Sequence, residues 1–237
     1  MARSTARAPT DATVAPRYER KFRIEACGRD VVTHAVLRHP HLFREIFHER
    51  FVNSVYYDTP EFRLYFNNVD GDAERDKVRV RWYGAMVGDH VGPHLERKRK
   101  FGLVGTKEST QLERLRVEPG VPGQELVDAL DHVDVDPLLR ATNRALRPVL
   151  LVRYRRRYYL SACARFRMTI DDQVKFVRME PGINAMTRAA TDDAVILELK
   201  YALEDDAAAV SVASALPFRM TRNSKYVVGI DKLFVAG

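Results

Sequence analysis

Six consecutive residues constrain this chain more than any other stretch. From Lys77 to Trp82 the sequence KVRVRW alternates a cation with an apolar side chain at every step. Side chains two apart on a strand share a face, so the run predicts a strand with Lys77, Arg79 and Arg81 on one side and Val78, Val80 and Trp82 on the other. The stripe returns elsewhere. Glu19, Lys21 and Arg23 alternate with Phe22 and Ile24, Arg165 and Arg167 with Phe166 and Met168, and Glu198 and Lys200 with Leu197 and Leu199. Glu96, Lys98 and Lys100 share one face of another run, although Arg97 and Arg99 charge its other face too. A solvated outer face of a sandwich accounts for any one such strand. It does not account for the set, because outer faces mix signs and interleave neutral polar residues to limit repulsion between cross-strand neighbours. These faces are nearly all cationic with isolated glutamates. Side-by-side cations are tolerated where a polyanion sits among them, with arginine forks and lysines on phosphate oxygens. The stripes therefore predict a mainly β (α+β) protein whose strands close into an antiparallel barrel lined inward with cations.

The rest of the chain fits that architecture. Strand-like runs at 17–24, 51–57, 77–83, 93–100, 148–160, 163–171 and 194–201 dominate, bounded by turn residues. Helical patterns at 30–47, interrupted by Pro40, and at 60–68, 122–131 and 204–215 read as flanking connectors. No internal repeat appears and no linker divides the chain after residue 16. Residues 1–16 thus read as a flexible tail and 17–235 as one domain. With 46% apolar residues the 237-residue chain has enough to build a core.

Charge narrows the partners. Lysine and arginine number 39 against 32 acidic residues, a net charge of +7, which favours nucleic acid, an anionic membrane surface or condensed phosphate. Nucleic acid is disfavoured, because the aromatics do not interleave with the basic stripes as a base-stacking platform requires. No apolar run approaches the ~18 residues of a spanning helix, so membrane contact would come through a partner or surface charge. Two distant cysteines without CxxC spacing point to a cytoplasmic protein with reduced thiols. The histidines show no HExxH pair and are assigned no metal. Glu19 and Glu198, each two residues before a lysine, either form salt bridges within their own faces or supply oxygens to a hard divalent cation that bridges phosphates.

The motifs YERKF (18–22), NSVYYDT (53–59), KVRVRWYG (77–84), LERKRK (95–100), the Tyr154–Arg156 pair, RFRMTID (165–171), LELKY (197–201) and NSKYVVG (223–229) are similar, in this order, to those of the VTC domain. That domain is the vacuolar transporter chaperone branch of the triphosphate tunnel metalloenzymes, or CYTH-like superfamily. The resemblance implies an eight-stranded tunnel that polymerises polyphosphate from ATP with Mn²⁺ or Mg²⁺. It assigns phosphate binding to Lys21, Arg79, Arg81, Lys98, Arg156, Arg167 and Lys225, and metal binding to Glu198. It also implies phosphate contacts at Tyr154 and Ser224, with Lys200 in the Glu198 stripe. A further lysine after the ERK motif is either Lys107 or Lys100. The hydrolase and cyclase branches carry Glu-x-Glu-x-Lys on the first strand, where this chain has Arg17, Glu19 and Lys21. The lost carboxylate disfavours a two-metal hydrolase and suits the VTC branch; without a recognisable regulatory or membrane-spanning segment, the expectation is a free-standing, bacterial-type member. Two alternatives remain open beside a polymerase: a non-catalytic module that binds polyphosphate or nucleotide, and a triphosphatase. The oligomeric state is not set by the sequence.

Overall fold

The computed structural model describes residues 17–101, 104–118, 124–130, 146–179 and 188–235. Eight strands form one continuous antiparallel path. In spatial order they are β1 (Arg17–Ile24), β11 (Val195–Ala202), β9 (Arg167–Arg178), β8 (Arg147–Leu160), β2 (Arg44–Asp58), β3 (Glu74–Tyr83), β5 (His94–Phe101) and β6 (Val104–Gln111). A short β10 (Ala189–Asp192) adds to β9, and β4 (Gly88–Val91) pairs with β7 (Arg114–Val117) in a separate ladder. The mainly β, antiparallel expectation is met. Closure is not: among the described residues no backbone ladder joins the edge strands β1 and β6. The sheet nevertheless curls, because Lys98 of β5 reaches Glu19 of β1 at 3.0 Å from near the opposite edge. Among the described residues a side-chain ion pair, rather than a strand-to-strand ladder, bridges the seam.

Alternation decides which side of the curl is apolar. Phe22, Met168, Ile170, Leu197 and Leu199 point outward and pack under α1 (Arg29–Leu37) and α4 (Asp206–Ser214), through Val32, Val36, Ala209 and Val212. Val55, Tyr57, Val78, Val80, Trp82 and Leu95 do the same under β4, β7 and α3 (Gln124–Asp128), meeting Leu115, Val117 and Leu126. These two clusters therefore lie on the convex face. The cationic stripes take the other side.

One helix enters the concave side. α5 (Lys225–Ile230) packs Tyr226 and Ile230 against Tyr56, Leu150, Val152 and Phe176. Gly229 makes this seat possible, since a Cβ there would lie 2.6 Å from both Leu150 Cδ2 and Phe176 Cδ1. Asp58, the last residue of β2, ties the helix down. Its carboxylate accepts from the backbone N–H groups of Thr59, Leu64 and Tyr65, at 2.7, 2.8 and 2.9 Å, and from the Tyr226 hydroxyl. The bonds from Leu64 and Tyr65 satisfy the start of α2 (Arg63–Asp70), which follows Phe62 in the left-handed region at φ 57°.

Several element boundaries differ from the sequence reading. The helix expected over 30–47 ends at Leu37, and residues 44–47 open the 15-residue β2 instead. Pro40 stops the helix, and pairing with β8 overrides the helical appearance of REIFHER. The strand expected at 163–171 runs over 167–178, so Arg165 lies outside it and pairs with Asp205. The helix expected at 60–68 spans 63–70, and that at 204–215 is a 3₁₀ turn followed by α4. Of the one at 122–131, residues 124–128 are helical and 122, 123 and 131 lie outside the described residues. The tail 1–16 and the side chain of Arg17 also lie outside them. Strands β4, β6, β7 and β10 and helix α5 were not anticipated.

Asp58→Ala leaves three buried N–H groups without an acceptor and is expected to lower the unfolding free energy by about 3 kcal/mol or more. Tyr226→Phe, which removes one hydroxyl, should cost about 1 kcal/mol. Urea denaturation midpoints of the two variants test this order.

Candidate functional site

Register across the sheet brings the charged stripes onto one concave surface. Glu96 on β5 lies opposite Arg79 of β3 and Ser109 of β6. Its carboxylate meets Arg79 Nη2 at 2.6 Å, Lys107 Nζ at 2.6 Å and Arg81 Nη1 at 3.8 Å. Burial alone would raise this carboxyl's pKa, but Arg79, Arg81 and Lys107 hold it well below the usual carboxylate range. The guanidinium forks are pinned from other directions too. Arg79 donates to the Tyr56 hydroxyl at 3.1 Å, and Arg81 donates to Ser54 Oγ at 3.1 Å and to the Tyr154 hydroxyl at 3.2 Å. Fixed on their acidic side, both arginines keep donors for an anion in the cavity.

A second cluster surrounds Glu198 on β11. Lys200, Arg156 and Lys21 approach its carboxylate at 3.2, 3.4 and 3.5 Å. Burial opposes ionisation here as well, and Lys200, Lys21 and Arg156 overcome it, keeping Glu198 well below the usual range. Arg156 grips the fully buried Asp171 through two bonds, at 2.5 and 2.7 Å, and Lys225 Nζ adds a contact to the same carboxylate at 2.5 Å. Glu19 completes the group, 3.0 Å from Lys98 and 3.7 Å from Lys21. Burial and the nearby Glu198 act against its ionisation, but Lys98, Lys200 and Lys21 bring it down to about 2.

Most of the residues named from the sequence meet here. Lys21, Arg79, Arg81, Lys98, Lys107, Arg156, Lys200, Lys225, Glu19 and Glu198 form the two linked clusters. Tyr154 joins them, with Arg156 Cζ 5.1 Å and Lys225 Nζ 4.6 Å from its ring centroid. Ser224 caps α5 and accepts from Lys77 Nζ at 3.0 Å. Two positions sit apart. Arg167 pairs in register with Lys200 and so shares its face, but its side chain is exposed and forms no ion pair with the described residues. Lys100 is exposed as well, whereas Lys107 reaches Glu96.

The sequence reading gave no role to Asp171, Glu96, Lys77, Ser54 or Tyr56. Glu96 and Lys77 stand in the stripes themselves. Ser54 and Tyr56 keep the same period-two spacing in NSVYYDT, and Asp171 keeps it with Arg167 in RFRMTID. Spacing put Ser54, Tyr56, Glu96 and Asp171 on the lining face, but without a positive charge none of them stood out, and Lys77 stood out only as one cation of its stripe. Lys77, Lys98 and Lys107 fall in one row across β3, β5 and β6. Lys98 and Lys107 each meet a carboxylate, while Lys77 meets the Ser224 hydroxyl. Burial, with Lys21, Lys98, Arg79 and Lys100 nearby, pushes the Lys77 ammonium down to about 7.

A curled antiparallel sheet with its core outside and a surplus of cations inside defines a protein shaped around a polyanion. The sequence model of the VTC domain matches residues 16–234, and the chain belongs to that family. No curated protein matches the chain. Among solved structures, a candidate adenylate cyclase from Bacillus halodurans superposes with a TM-score of 0.54 at 12% identity, covering 89% of this chain and 94% of its own. A candidate adenylyl cyclase from Hippeastrum, described as having a dominant triphosphatase activity, gives a TM-score of 0.52 at 13% identity over 90% of this chain and 94% of its own. A candidate adenylate cyclase from Vibrio parahaemolyticus gives 0.51 at 13% identity over 90% and 98%. At these identities the likeness is one of fold alone.

The cation surplus has a pH signature. Between about 7 and its ordinary 10.5, Lys77 holds a proton in the unfolded chain that the folded chain lacks, so its contribution to stability rises with pH over that window. Lys77→Met removes the burden. The variant should melt higher than wild type below about pH 7, and the gap should close by pH 10.5. Melting curves of both proteins from pH 6 to 10.5 in low-phosphate buffer read the difference.

Proposed function

We propose that this face holds condensed phosphate for phosphoryl transfer, and that the reaction is synthesis of polyphosphate from ATP. The observation that carries the reading is the convergence of Arg79, Arg81, Arg156, Lys21, Lys98 and Lys225 on one concave surface, each oriented by a buried or half-buried partner. Phosphoryl transfer needs little covalent help from a protein; it needs an aligned donor and acceptor and fixed positive charge around the transferring group. Arg79 and Arg81, held from behind by Glu96, clamp the triphosphate. Arg156, held by Asp171, supplies a further guanidinium, and Arg167 at the rim engages the chain as it enters. Lys21, Lys98 and Lys225 hold the acceptor chain, with Tyr154, Ser224, Lys200 and Lys107 completing the phosphate contacts. The attacking terminal phosphate is already anionic, so no side-chain base is required.

Among the described residues no three histidine, cysteine or carboxylate side chains gather into a cage for a metal. The donor set still suits Mg²⁺ or Mn²⁺, which are commonly held by one or two carboxylates together with substrate phosphates. Glu198 and Glu19 are the residues that would hold such an ion. When bound, it supplies charge neutralisation at the phosphate oxygens.

Two measurements test the reading. The purified protein, incubated with ATP and Mn²⁺ and run on a gel that resolves polyphosphate, should give a ladder. Orthophosphate without a ladder would assign a triphosphatase instead, and tight tripolyphosphate binding without turnover would assign a binding module. Glu198→Gln should keep metal-free tripolyphosphate binding, or tighten it, because a negative charge has left a cationic cavity. The same variant should lose Mn²⁺-dependent turnover. Wild-type turnover in Glu198→Gln would overturn the metal assignment.

A further inference from the structure

The concave face does not end in cations. Phe47 of β2 lies opposite Tyr158 of β8, and Arg50 lies opposite Arg156. Three steps along β2 thus match two along β8, which marks a β-bulge between Phe47 and Arg50. Strict alternation would send Phe47 and Arg50 to opposite faces; the extra residue brings both to the concave one. There the Arg50 guanidinium lies between two rings, 4.0 Å from the Tyr83 centroid and 4.9 Å from that of Tyr158. It also donates from Nε to the Tyr158 hydroxyl at 3.2 Å. Phe47 meets Tyr158 edge-on, with centroids 5.7 Å apart. Arg156, one of the guanidiniums in the phosphate clamp, is 6.0 Å from the Tyr158 ring, and Tyr83 is two residues beyond Arg81 on the same face of β3.

This cluster begins at the phosphate clamp and runs outward to rings that remain open: Tyr83 is 42% and Phe47 55% accessible. Isolated exposed aromatics are ordinary on protein surfaces. A group of them around an arginine, at the mouth of a cavity built for phosphate, is not explained by phosphate, which has no apolar face for a ring to cover. A nucleobase has one, and stacks on aromatic rings and guanidinium planes alike.

We propose that Phe47, Tyr83 and Tyr158, with Arg50 held between the two tyrosines, form a stacking subsite for the base of a nucleoside triphosphate whose phosphates lie on Arg79, Arg81 and Arg156. The inference rests on the phosphate-binding reading above and adds the place where the base of the donor lies. Recognition by stacking tolerates any base, since every base has a π-face. Purine nucleotides should therefore bind alike, and more favourably relative to inorganic tripolyphosphate than charge alone would allow.

Calorimetric titration of the full chain without metal, using ATP, GTP and tripolyphosphate as probes, tests this. Tyr83→Ala should weaken ATP and GTP by about tenfold and leave tripolyphosphate affinity unchanged. Tyr83→Phe, which keeps the ring, should bind all three as wild type does. Phe47→Ala, a second change at the rim, should shift the nucleotide-to-tripolyphosphate ratio in the same direction. An unchanged ratio in both alanine variants overturns the subsite, as does an equal loss for all three ligands. A wild-type protein that binds tripolyphosphate but not nucleotides overturns the subsite and the assignment of ATP as donor, and leaves the phosphate-binding reading standing. One that binds neither overturns the phosphate reading and this inference with it.

Discussion

Repulsion between cations held side by side in a curled sheet is the constraint on which the rest of this structure depends. Arginines and lysines from β1, β3, β5, β6, β8 and β11 face one another across a cavity where water screens them poorly. Four carboxylates make that arrangement foldable without an anion. Glu96 gathers Arg79, Arg81 and Lys107; Glu198 gathers Lys21, Lys200 and Arg156; Asp171 holds Arg156 and Lys225; Glu19 joins Lys98 to Lys21. Each acid serves several bases, so a positive surplus remains, and Lys77 shows where it is felt. The surplus lowers the stability of the empty protein and becomes an attraction once a polyanion enters.

A charged interior obliges the fold to keep its apolar core elsewhere. The convex side carries it, under α1 and α4 at one part of the sheet and under β4, β7 and α3 at another. In both clusters the apolar residues alternate with the cations along the same strands and point to the opposite face. The exception is α5. Tyr226 accepts a place against Tyr56, with stacked rings 5.0 Å apart, and donates to Asp58, while Tyr56 itself accepts from Arg79. The start of α2, the seat of α5 and the orientation of a clamp arginine are thus joined through one buried carboxylate.

Much of this was legible in the sequence, for a simple reason. A strand's period of two is local, so KVRVRW, LELKY and YERKF declare two unlike faces before any partner strand is known. Motif order then placed the chain in its family, and most of the cations it nominated do meet. Closure of the sheet was not legible, since whether β1 and β6 share a ladder depends on the curvature accumulated over all the strands between them. Nor was Asp171, which lies on the same side as Arg167 but is recognised as an anchor only when Arg156 and Lys225 arrive from β8 and α5.

The sequence by itself determined the mainly β character and the two-faced strands that carry Lys21, Arg79, Arg81, Lys98 and Lys200, because these follow from side-chain type and nearest-neighbour alternation; Arg156, Lys107 and Lys225 came only through the resemblance to the VTC domain. Tertiary structure alone decided that Lys107 rather than Lys100 reaches Glu96, that Arg167 stays at the rim, and that both carboxylates read as metal ligands are engaged by lysines. It also decided the mouth of the cavity. The bulge in β2 arises from an extra residue set against β8, and register between strands distant in sequence is fixed by packing that no local pattern encodes.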